Sequence, residues 1–147
     1  MNDSRYITYN SILLLAIFPL SLVGYYLAVN NEAMFVLYEW ILAILVVSLL
    51  FLSFVGMVNI KTKQKWIMAA FLAFTIQFSA LCLFLGPFTF YSAYYVYYGL
   101  AFVSLAIYLL TIRKVDRMRY IPISFTFLTT ITILYMMVTQ SLWGASF

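Results

Sequence analysis

The sequence predicts an all-α integral membrane protein, a bundle of five transmembrane helices with its N-terminus cytoplasmic and its C-terminus outside. Three observations predict it. Of 147 residues, 67% are hydrophobic and 8% are charged, whereas a soluble domain carries roughly 25% charged residues. The uncharged stretches 6–31, 40–60, 66–112 and 120–147 each have the length of about 20 residues that a helix needs to cross a bilayer. Five crossings, finally, place all eight Lys and Arg residues on one side. The connections leave no room for a soluble unit, so residues 1–147 form a single polytopic membrane domain.

The first helix is expected over about 8–29. Its apolar stretch is too long for the core of a signal peptide, and Asp3 stands beside Arg5 ahead of it, so it reads as a span that is retained. Pro19 lacks an amide donor and frees the carbonyl of Leu15, which kinks a helix. The second helix covers about 34–58. The 47 uncharged residues of 66–112 suit two helices, about 66–86 and 91–112, with Gly86-Pro87 marking the turn between them. The fifth covers about 120–143, from Tyr120 to Trp143; Trp66 at the start of the third helix marks the opposite interface.

The loops of this arrangement alternate sides. Arg5, the loop Lys61, Lys63, Lys65 and the loop Arg113, Lys114, Arg117, Arg119 share one side. Asn30, Asn31, Glu32, the Gly86-Pro87 turn and residues 144–147 share the other, which has no basic residue. The positive-inside rule makes the basic side cytoplasmic, and the plasma membrane is the expected location. The loop cations are expected to attract anionic lipid headgroups, at about 1 kcal/mol each. No nucleic-acid partner is implied by the net charge of +4, because topology accounts for it.

Composition also excludes chemistry. There is no histidine, which removes imidazole-ligated haem, zincin metalloproteases and Ser-His dyads. Of four acidic residues, Asp3 and Asp116 lie outside the apolar runs, so no intramembrane aspartate pair exists for proteolysis. No lysine stands inside an apolar run to carry a Schiff base. The single cysteine, Cys82, forms no intramolecular disulfide and reads as a small core residue. No cofactor or metal is expected, and no enzymatic activity.

Glu39 is the one ionisable side chain inside an apolar helix, and intramembrane carboxylates are functional candidates by default. Eight of the thirteen tyrosines fall at comparable depth: Tyr25, Tyr26, Tyr38, Tyr91, Tyr94, Tyr95, Tyr97 and Tyr98. Tyr91, Tyr94, Tyr95 and Tyr98 share a helical stripe continued by Phe102 and Leu105. Two readings stand side by side. Glu39 with Tyr25, Tyr26, Tyr94, Tyr95 and Tyr98 would form a cation site, with cation–π attraction on the order of 2 kcal/mol; or Glu39 snorkels to the headgroups and the rings form an interfacial belt.

Gln77 stands near the middle of the third span, about 17 Å from its inner end at 1.5 Å per residue, on a face with Ala69, Ala73 and Ala80. A polar amide at that depth needs a partner, and small residues let helices approach closely. Helix packing is the favoured reading, with Thr126, Thr129, Thr130 and Thr132 of the fifth helix hydrogen-bonding their own backbone. Ser21, Gly24 and Ala28, and likewise Ser92 and Gly99, are read as small packing faces.

The expected function is that of a small non-enzymatic membrane protein acting by lateral contact with a membrane-protein partner or with copies of itself, as an accessory, regulatory or immunity-type subunit. The alternative is a small carrier or channel subunit handling a lipophilic cation through Glu39 and the tyrosine layer.

Overall fold

The computed structural model describes residues 3–85, 91–116 and 118–142. They form five α-helices: α1 (Asp3–Asn30), α2 (Glu32–Asn59), α3 (Lys65–Leu85), α4 (Ala93–Lys114) and α5 (Tyr120–Ser141). All five are long and apolar enough to cross a membrane. The predicted Gly86-Pro87 turn, Arg117 and Trp143 lie outside the described residues.

Helix α4 lies two residues later than expected at both ends and α5 ends two residues earlier; the larger differences are at the start of the chain. Helix α1 begins at Asp3 rather than near residue 8, because its first turns bury Tyr6 and Ile7 beside Ile60 and the Tyr6 hydroxyl accepts a 3.2 Å hydrogen bond from Asn59 Nδ2. Tertiary packing extends the helix past its apolar stretch. Between α1 and α2 the predicted loop shrinks to Asn31, whose amide still donates to the Leu27 carbonyl at 2.8 Å while its own carbonyl accepts from Met34.

Side-chain contacts set an up-and-down order. Asn59 near the end of α2 meets Tyr6 near the start of α1, and Tyr38 near the start of α2 covers Gly24 near the end of α1. Met68 at the start of α3 lies over Gly56 of α2. Phe84 of α3 packs on Tyr94 of α4 at 4.6 Å, and Tyr98 of α4 bonds Gln140 at the far end of α5. Each consecutive pair is therefore antiparallel.

Helix α3 occupies the centre. It packs against all four others, whereas the backbones of the α1–α2 hairpin and the α4–α5 hairpin do not approach each other closely among the described residues. Its most apolar stretch is accordingly 44% buried, against 11% for α1.

The buried positions of α4 are Tyr94, Tyr97, Ala101, Ser104, Tyr108 and Thr111, which alternate steps of three and four. That spacing belongs to helices lying almost along one another. It also turns the hydroxyl-bearing face inward and leaves Val96, Phe102, Val103 and Leu109 outward. In a lipid-facing helix this is the favourable way round, since an outward hydroxyl has no water to bond.

Apolar packing falls into two clusters. One holds Tyr6, Ile60, Ile67, Met68, Phe71, Tyr108, Val115 and Phe125, near the start of α3. The other holds Phe84, Tyr94, Tyr97, Ala101 and Met136, near its end. Phe125 knits the first cluster, stacking on Phe74 at 4.5 Å and meeting Phe71 edge-on at 5.2 Å.

Candidate functional site

Between the two clusters lies a polar layer centred on Gln77. The side chain is 4% exposed and its amide serves two other helices. Its Nε2 donates to the Tyr97 hydroxyl at 3.1 Å. Its Oε1 accepts from the Tyr108 hydroxyl at 3.3 Å and from Thr129 Oγ1 at 3.2 Å. The two tyrosines are eleven residues apart on α4 and reach the amide from either side. The small residues Ala101 and Ser104 between them leave α3 room to approach, and Ser104 Oγ donates to the Ala73 carbonyl at 3.5 Å. Ala73 is buried in that contact and Ala80, two turns further on, is half-buried.

A second polar contact joins α1 to α2. Asn10, fully buried, accepts from Ser53 Oγ at 3.0 Å and donates to the Tyr6 carbonyl at 2.9 Å. A third stands at the other end of the bundle, where the Tyr98 hydroxyl donates to Gln140 Oε1 at 2.8 Å and Gln140 Nε2 donates to the Tyr91 hydroxyl at 3.2 Å. The buried polar side chains among the described residues are Asn10, Ser53, Thr75, Gln77, Ser104, Thr111 and Thr129. All are neutral, so what these contacts do chemically is hold helices together through hydrogen bonds.

The cation box of the alternative reading is not assembled within one chain. Glu39 is exposed, and α2, which carries it, does not pack against α4. Tyr25 and Tyr26 point outward at 75% and 63% exposure. Of the α4 tyrosines, Tyr94 is buried against Phe84, Tyr95 is exposed and Tyr98 is half-buried with its hydroxyl committed to Gln140. The stripe of Tyr91, Tyr94, Tyr95 and Tyr98 is thus divided between the inside and the outside of the bundle. Its rings do touch one another, Tyr91 meeting Tyr94 at 5.8 Å and Tyr95 at 5.9 Å.

The small face of Ser92 and Gly99 is not used within the chain either. Both are exposed, and a side-chain carbon added at Gly99 would meet nothing within 4 Å, because α4 is rotated to bury its hydroxyls instead. Of the first helix's small face, Gly24 is the buried member, under the Tyr38 ring, while Ala28 is exposed and Ser21 Oγ donates to the Ile17 carbonyl at 2.7 Å. Thr126, Thr130 and Thr132 bond carbonyls of their own helix at 2.7 to 2.9 Å; Thr129 instead reaches across to Gln77.

Tyr108, Ser104, Asn10 and Ser53 are participants that sequence reasoning passed over. A readable signal was present in α4: the hydroxyl-bearing residues at 94, 97, 104, 108 and 111 keep a heptad rhythm. Asn10 is an amide in an uncharged run.

At the end of the bundle that carries the α2–α3 and α4–α5 loops, Lys61, Lys63, Lys65, Arg113, Lys114 and Arg119 are all exposed. Lys114 Nζ lies 4.4 Å from the centre of the Trp66 ring, and Thr111 Oγ1 donates to the Trp66 carbonyl at 3.1 Å. These two contacts bind the end of α4 to the start of α3.

No known protein family, curated protein sequence or solved structure matches the chain.

Proposed function

We propose that the chain is a non-enzymatic polytopic membrane protein that acts by lateral contact with another component of the membrane, as a small accessory, regulatory or immunity-type subunit. We place it in the plasma membrane with the Lys- and Arg-bearing loops in the cytoplasm, on the strength of the eight-to-none charge division between its two sides.

One observation carries the reading. Among the described residues the α1–α2 hairpin approaches the rest of the bundle closely along α3 and turns a broad apolar surface outward, including Leu22, Val29, Ile44, Val47 and Phe51. The buried polar groups support it, since Gln77, Asn10 and their partners are occupied with one another and serve cohesion. A surface of this kind does its work by what it lies against.

The test is recovery of the full chain in several mild detergents after cross-linking in the membrane from cysteines placed at Leu22 and Val47, in a Cys82→Ala background. The expected result is one membrane protein, in fixed proportion, linked from those positions and not from Val103 or Leu134 of the other hairpin. A monomer in every detergent, with no cross-link from either position, removes the proposal.

A further inference from the structure

The end of the bundle bearing the loops is the most strongly charged surface of the molecule. By sequence, the eight cations less Asp3 and Asp116 give the segments on this side +6, while Glu32 and Glu39 give those on the other −2, which together make the chain's +4. Among the described residues its one ion pair is Arg119 with Asp116, at 3.9 Å and with side chains 52% and 78% exposed. Such a pair is weak, so most of this charge is without an internal counter-ion.

We propose that this rim binds the phosphodiester headgroups of acidic phospholipids. Position favours a lipid over a soluble acidic protein. Lys65 is the first residue of α3, Arg113 and Lys114 are the last two of α4, and Arg119 directly precedes α5. Each cation therefore stands within one helical turn of an apolar span, at the level where phosphates lie. The connections 60–64 and 115–119 are only five residues each and are pinned from inside: Ile60 and Val115 are buried, and Arg119 Nε donates to the Val115 carbonyl at 2.7 Å. Ile60, Val115 and Arg119 thereby hold the described parts of both connections close to the bundle end. Trp66 adds an interfacial ring, the residue type that sits at headgroup level, and Lys114 stacked on it joins the two loops into one patch. The lipid sites are then the lysines of the α2–α3 loop together with Arg113 and Lys114. This assignment goes beyond the lateral-contact reading and does not depend on it.

The experiment titrates the purified full chain in neutral detergent with dioleoyl phosphatidylglycerol. Dioleoyl phosphatidylcholine and inorganic phosphate are titrated in parallel, and the readouts are the thermal unfolding midpoint and the lipid retained in native mass spectrometry. A ligand that binds the folded state raises the midpoint. The expected result is a rise and retained lipid with phosphatidylglycerol alone, both reduced by salt. Replacing Lys61, Lys63 and Lys65 with Gln should weaken the effect by about fivefold per lysine, following the usual strength of such contacts, while the Arg replacements retain it. The Arg variant also controls for folding. Equal response to phosphatidylcholine, an equal response to inorganic phosphate, or an undiminished response in the Gln variant overturns the proposal.

Discussion

At the scale of single residues, Gln77 is where one side chain touches most of the fold. Hydrogen bonds between membrane helices average about 0.6 kcal/mol and reach about 1.7, so Gln77→Leu, which removes three at once, should destabilise by about 1 to 3 kcal/mol. Thr129→Val removes one and should cost under about 1 kcal/mol. Unfolding midpoints in a mild detergent check both, and equal losses would mean that the three hydroxyls do not act through the amide. The glycines make a contrasting pair. A methyl group at Gly24 would run into the Tyr38 ring, so Gly24→Ala should destabilise by about 1 to 3 kcal/mol through overpacking. Gly99→Ala meets nothing and should stabilise by about 0.5 to 1 kcal/mol through helix propensity. The same measurement reads both signs. Gln77 itself was legible as a midplane amide in need of a partner. Its partners were not, because three hydroxyls on two other helices converge only when the rotation of each helix is known.

At the scale of elements, the five spans were legible because their cause is compositional: a run of apolar residues of bilayer length declares itself without reference to neighbours. Rotation about each helix axis was not legible for the converse reason. Tyr91 ahead of α4 and Tyr94, Tyr95 and Tyr98 on it fit a 3.6-residue stripe, but the packed helix follows the seam at 94, 97, 101, 104, 108 and 111, since close lengthwise packing selects the 3.5 repeat. Single-residue steps decide which tyrosine is inside: Tyr94 is 2% exposed and Tyr95 is 60% exposed. The start of α1 escaped because it depends on Ile60 and Asn59, far along the chain. The α4–α5 connection adds a feature no composition announces, Met118 in the left-handed region at φ 60°. A β-branched side chain fits that conformation poorly, so Met118→Ile should destabilise by about 1 kcal/mol or more, whereas Met118→Leu should be tolerated. An equal midpoint for the two would show that the backbone there adapts.

At the scale of the whole molecule, charge and architecture agree on which ends lie together, and this too was readable, because alternating crossings need only counting. The orientation has a direct test in a Cys82→Ala background. Cysteines at Lys63 and Arg113 should react with an impermeant maleimide from the cytoplasmic side, and one at Asn31 from the outer side; labelling of Lys63 and Arg113 from opposite sides would break the five-crossing arrangement. What could not be read was the central place of α3, since adjacency between distant helices follows from packing choices spread over the entire bundle. That centrality has a consequence for the order of events during biosynthesis. The α1–α2 hairpin can close while later segments are still on the ribosome, but the amide of Gln77 has no cross-helix partner until α4 brings Tyr97 and Tyr108, and is complete only when α5 brings Thr129. A nascent chain halted after α3 carries an amide whose three side-chain partners, Tyr97, Tyr108 and Thr129, have yet to be made.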